Sequence, residues 1–119
     1  MEMTEHIALY LRGYGFPKAT SGEMPATPDR ALTVYATGVR PRRDQDGSRF
    51  QILVRSEPGT DTALQDALYV ADLLDDFEGM LTPDGPYFQR IELQSGAANL
   101  GLDANRRLTY SLNFIAYTC

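Results

Sequence analysis

The chain has 119 residues, 43% of them hydrophobic and 23% charged, and a formal net charge of −5. That length suits one domain, 1–119, with a core of its own, and the acidic balance argues against nucleic-acid binding through the whole surface. A lone cysteine, Cys119, excludes an intrachain disulfide, and no stretch approaches the roughly 20 apolar residues that cross a bilayer.

In chain order, the acidic start Met1 to His6 does not read as a signal peptide, so a protein working in or assembled in a cytoplasm is expected. Residues 4–14 read as a short helix: Ile7, Tyr10, Leu11 and Tyr14 share one face, Thr4 is the candidate N-cap, and Gly13, Gly15 and Pro17 stop it. Residues 18–30, with Gly22, Pro25 and Pro28, read as a loop. A strand is predicted over 31–38 and another over 50–56, where Phe50, Ile52 and Val54 share a face. The segment between them, residues 39–49, is too long for a tight hairpin turn and reads as a mixed-charge arm carrying Arg40, Arg42, Arg43, Asp44, Asp46 and Arg49.

The main helix follows. Thr60, Asp61 and Thr62 offer capping oxygens, Thr62 and Gln65 have the capping-box spacing, and Ala67, Leu68, Ala71 and Leu74 form an apolar stripe flanked by Leu64 and Phe77. Gly79 is the expected residue just past its end. Asp72, Asp75, Asp76 and Glu78 then crowd the helix C-terminus, where exposed negative charge costs a few tenths of a kcal/mol each against the helix dipole. Residues 80–86 read as a turn and 87–95 as a strand with Tyr87, Gln89, Ile91 and Leu93 on one face. Residues 96–107 lead through a turn to the last strand, where Leu108, Tyr110, Leu112, Phe114 and Ala116 alternate with polar residues. The order α-β-β-α-β-β implies an α+β domain: a four-stranded, mainly antiparallel sheet with helices on one face.

Chemistry is hard to assemble from these residues. His6 is the only histidine, so with one distant cysteine no zinc set forms, and any base-assisted nucleophile would have to use His6. Gly96 and Gly101 bracket a stretch without the Lys-Ser/Thr of a phosphate loop. Asp72, Asp75 and Asp76, at 100° per residue, share a helix face, whereas calcium sites wrap a loop around the ion. No catalytic, metal or cofactor site is therefore expected, and the chain is not expected to be an enzyme. The 7 tyrosines suit subunit interfaces, although sheet packing accounts for them as well.

Several landmarks carry a resemblance. They are Met24-Pro25, Ala31-Leu-Thr-Val-Tyr-Ala-Thr-Gly-Val-Arg-Pro41, Phe50-Gln-Ile-Leu-Val-Arg55, the helix Ala63 to Leu74, and Gly101-Leu-Asp103 followed by Arg107 and Asn113-Phe114. In this order and spacing, from Ile7 to Tyr117, they resemble the tail terminator proteins of long-tailed bacteriophages, often labelled minor capsid proteins in phages and prophages. The resemblance implies a virion protein of the tail-neck junction that assembles in the bacterial host. It implies a homohexameric ring capping the tail tube, ending polymerisation and meeting the head-completion protein of the neck, with no membrane role. Arm residues 39–49 are then the candidate contact with a neighbouring subunit or the major tail tube protein. Genome DNA would pass through without specific binding, and Asp72, Asp75, Asp76 and Glu78 are candidates for the lumen or a partner face. A neck stopper or a tail-tube subunit is the alternative within the same particle. A small cytoplasmic ligand-binding module is the alternative outside it, and would need an enclosed apolar pocket.

Overall fold

In a computed structural model, residues 2–16, 18–38 and 47–118 are described. Their elements run α1 (Met3–Arg12), β1 (Thr20–Ser21), β2 (Ala31–Gly38), β3 (Ser48–Arg55), α2 (Thr62–Leu74), β4 (Phe77–Met80), β5 (Tyr87–Leu102) and β6 (Leu108–Thr118). The described strands form a single six-stranded sheet in the order β1-β2-β3-β6-β5-β4. It is mixed, because β1 runs parallel to β2 while the other neighbours are antiparallel. The four-stranded sheet and α-β-β-α-β-β order expected from sequence are therefore corrected to a curled, six-stranded half-barrel.

Two of the strands lie where a loop and a helix tail were expected. Strand β1 is only two residues long and exists because Thr20 and Ser21 align beside Thr33 and Val34. Strand β4 arises because α2 stops earlier than its charge pattern suggests. Asp75 turns extended (φ −66°, ψ 132°) and Asp76 enters the left-handed region at φ 63°, a conformation that Asp tolerates better than most residues. The chain then reverses, and Phe77 to Met80 pairs with β5.

The capping also differs. The N-cap of α1 lies two residues earlier than expected, at Glu2, with the Glu5 side chain accepting from the Glu2 N–H at 2.9 Å, while Thr4 instead bonds Ser21. At α2 the N-cap is Asp61, without a side-chain cap bond, so the Thr62–Gln65 box does not form.

The apolar stripe of α2 is Ala63, Ala67, Val70 and Leu74. It is turned from the expected one, leaving Leu68 53% exposed. This stripe and Ile7, Ala8 and Leu11 of α1 share one core with Leu32, Val34, Phe50, Ile52, Val54, Phe88, Ile91, Leu112, Phe114 and Ala116 of the sheet. Phe50 and Phe114 face each other across β3 and β6, stacked with centroids 5.1 Å apart, a cross-strand aromatic pair worth about 0.5–1.5 kcal/mol beyond its burial. Strand β6 is central, between β3 and β5, and its expected core residues Leu112, Phe114 and Ala116 are buried.

In β5 the expected alternation fails. Phe88 and Ile91 are both buried because a register shift between Phe88 and Arg90 inserts an extra residue. The strand also continues to Leu102, with further shifts after Leu93, Ser95 and Asn99. Each such bulge bends the strand and raises its local twist.

Candidate functional site

The expected arm contact residues Arg40, Arg42, Arg43, Asp44 and Asp46 lie outside the described residues. Arg49 is described: it is exposed on β3, opposite Gly38 on one side and Ile115 on the other. At the arm's return Gly47 packs so tightly that an added Cβ would sit 2.6 Å from Ile115 Cγ1 and 2.8 Å from the Ala116 carbonyl oxygen. Only glycine fits there, which fixes where the chain re-enters the sheet.

The acidic cluster does not form one helix face. Asp72 alone stays on α2, exposed. Asp75 accepts the Leu93 N–H at 3.0 Å, and the Asp76 N–H donates to the Ile91 carbonyl at 2.7 Å. Asp76 also pairs with Arg90 at 3.1 Å, and Glu78 accepts the Tyr87 hydroxyl at 3.0 Å. Three of the four acids thus clasp β4 and the helix end to β5, a structural task that the charge run did not reveal.

Two buried arginines, Arg55 and Arg107, anchor a polar cluster. Arg55 donates at 2.7 Å to each of the Pro25, Pro28 and Asp29 carbonyls. Arg107 donates to the Ala26 carbonyl at 2.8 Å and to Asp103 Oδ2 at 2.8 Å. Asp103 Oδ1 accepts the Asn105 and Arg107 N–H groups, both at 2.9 Å, which closes the β5–β6 turn. Together these bonds tie the 25–29 loop to the sheet. Backbone and side-chain hydrogen bonds from Arg107 hold the Asp103 carboxyl below its usual range. Burial, and then the neighbouring Arg107 charge, lower Arg55. The Asp-x-x-x-Arg spacing was visible in the sequence; that Arg55 joins it was not, because the two arginines are brought together only by β3 and β6 pairing along Arg55 and Thr109.

On the sheet face opposite the core, Gln51 donates to Asn113 Oδ1 at 3.1 Å, and Asn113 donates to Ser95 Oγ at 3.1 Å. This polar ladder crosses β3, β6 and β5 in one row, and Tyr35 of β2 extends the row. Asn113 of the Asn-Phe pair therefore orders the outer face while Phe114 fills the core.

Among the described residues, open clefts flank α1 and the 18–32 segment, three of which bear on the site. The largest, about 680 Å³, lies between α1 and the β1–β2 edge and is lined by Glu2, Glu5, Leu9, Ser21, Tyr35 and Ala36 among others. A second of about 540 Å³ contains His6, whose Nδ1 is 2.8 Å from Thr82 Oγ1. The third, about 240 Å³, lies beside Phe16 and Arg30. Arg30 is held by paired bonds to Asp66 at 2.8 and 2.9 Å and sits over the Phe16 ring. Among the described residues every buried side-chain polar atom has a hydrogen-bond partner, and no three of His, Cys, Asp and Glu come together. No described helix is long and apolar enough to cross a membrane.

No curated protein matches the chain. A solved structure with 17% identity, covering 97% of this chain and 96% of that one, superposes with a TM-score of 0.52 and shares the fold. The family described as bacteriophage tail terminator protein matches residues 10–118, which takes in every strand and all the landmarks from Met24 to Phe114. The chain thus belongs to the bacteriophage tail terminator family, whose members are structural components of the phage tail.

Proposed function

We propose that copies of this chain form a ring on the finished end of the tail tube, stop its polymerisation and present a surface to the head-completion protein of the neck. The observation that carries the reading is the family match over residues 10–118. The clustered polar bonds support it: they rigidify a scaffold rather than converge on an empty pocket. In this reading, arm residues 39–49 meet the neighbouring subunit or the tube protein. A polar segment with both charge signs suits the rim of such an interface and sets its register more than its affinity. Asp72, exposed on α2, is the remaining candidate of the acidic group for the DNA passage, where negative charge repels phosphate.

Light scattering from growing tail tubes tests the proposal. Adding this protein to tubes assembling from the cognate tube protein is expected to arrest growth at substoichiometric amounts. Unchanged growth, or a mass increase showing that the chain copolymerises along the tube, contradicts it.

A further inference from the structure

The described sheet has a stretch at each edge that no described strand covers. On one side β4 covers β5 only as far as Ile91, and the Leu93 N–H is taken by Asp75. From Gln94 to Leu102 no described strand lies beyond β5. On the other side β1 covers only Thr33 and Val34 of β2, leaving the edge from Tyr35 to Gly38 without a described strand.

Among the described residues, both stretches lack two of the features that keep open strands from pairing. Natural edges carry charges, proline, bulges or a cover; residues 93–102 contain no Asp, Glu, Lys, Arg or Pro, nor do residues 35–38, although β5 bulges after Leu93, Ser95 and Asn99 and the Gly101 N–H is held by Asn99 Oδ1 at 2.7 Å. The β5 edge carries the two most exposed large apolar side chains described, Leu100 at 57% and Leu102 at 62%. The β2 edge opens into the 680 Å³ cleft roofed by α1, where Tyr35, Ala36 and the half-exposed Leu9 supply apolar wall and Glu2, Glu5 and Arg12 supply charged wall.

We propose that the 94–102 edge of one copy docks in the cleft along the Tyr35–Gly38 edge of a second copy, forming a strand-to-strand joint between subunits. Strand direction supports a second copy as the occupant. From β2 through β3 and β6 to β5 there are three antiparallel steps, so β5 runs opposite to β2. Copies related by rotation about an axis roughly along the strands would therefore join antiparallel, as the rest of the sheet does. Because the two edges are different surfaces on opposite sides of one sheet, the contact is heterologous, the kind that closes into a ring when the rotation fits. The free stretches share only the Tyr35–Gln51–Asn113–Ser95 row and run from it toward opposite ends of the sheet. Joined copies are thus staggered along the strands, the shear that a closed, tilted sheet requires. This inference rests on the ring reading for self-assembly, but not on what the ring caps.

Backbone hydrogen exchange tests it, measured on the protein alone at high concentration and on protein bound to tail tubes. In whichever state holds an assembly, amides in both 94–102 and 35–38 are expected to slow by about tenfold or more. A cysteine pair identifies the partner. In a Cys119→Ser background, mixing Thr37→Cys chains with Ala98→Cys chains should give covalent dimers, and the double variant a ladder of higher species. Ala98→Lys with Leu100→Lys, both exposed, should keep the circular dichroism of the fold and lose the assembly. Protection at only one edge or at neither in both states, or cross-linking of Ala98→Cys chains mainly to themselves, overturns the joint. Capped tubes with unprotected edges would leave the terminator reading standing without the joint. Edge-protected rings that ignore tubes would leave the joint without the terminator reading.

Discussion

Arg55 illustrates how a residue that looks like surface charge becomes structural. Its guanidinium is buried among three carbonyl oxygens of the 25–29 loop, and hydrogen bonds from a charged donor are each worth about 1.5–3 kcal/mol. Arg55→Met is expected to destabilise the isolated subunit by about 2–4 kcal/mol in urea unfolding, because the orphaned carbonyls lose partners that apolar atoms cannot replace. A change below about 0.5 kcal/mol would place Arg55 among ordinary surface residues. Asp103 gives a pH signature. Its carboxyl titrates lower in the folded chain than its ordinary value of 3.8, so its contribution is fully present above that value and is lost as pH falls through the folded one. The stability difference between wild type and Asp103→Asn should therefore be constant near neutrality and shrink on acidification below about pH 4. A difference that grows toward low pH in thermal melts would reverse the assignment.

Among elements, α2 shows what a sequence pattern can and cannot carry. The helix was legible, since Ala67 and Leu74 were placed in the stripe and both are buried. Its rotation was not, because Leu68 and Val70 are both apolar and spacing alone does not decide between them. Their environments decide it: Val70 enters the core with Ala63 and Ala67 while Leu68 faces out. Leu74→Ala should cost about 2–5 kcal/mol, and Leu68→Ala should stay within about 0.5 kcal/mol in the isolated subunit. Equal costs would return the stripe to its expected position. The strands follow the same logic. β2, β3 and β6 could be read because their alternation or β-rich composition is local. The far half of β5 could not, since Gly96 and Gly101 speak for a turn, and only pairing with the strongly alternating β6 recruits residues 96–102 into the sheet. Strand β4 was hidden because its acids read as a helix tail, whereas they serve as hairpin ties.

At the scale of the whole molecule, the described residues form one six-stranded sheet with a stretch at each edge that no described strand covers, and family membership assigns that scaffold to the phage tail. The family could be recognised from sequence because its landmarks are rigid requirements. Asp103 and Arg107 close a turn, Asn113 orders the outer face, and Phe114 stacks on Phe50. The arm's task could not be derived in the same way, because Arg40, Arg42, Arg43, Asp44 and Asp46 lie outside the described residues and, in this account, act on another molecule. Arg42→Asp combined with Arg43→Asp should therefore leave the subunit's melting temperature unchanged while weakening tube arrest. Loss of folding in that variant would place the arm inside the subunit's own architecture.

Electron microscopy of tail tubes grown with and without the protein tests the central claim most directly. The account predicts tubes of bounded length with a closed ring of this protein at one end and bare walls between. Indefinitely long tubes without a terminal ring, or protein spread along the tube wall, would contradict it.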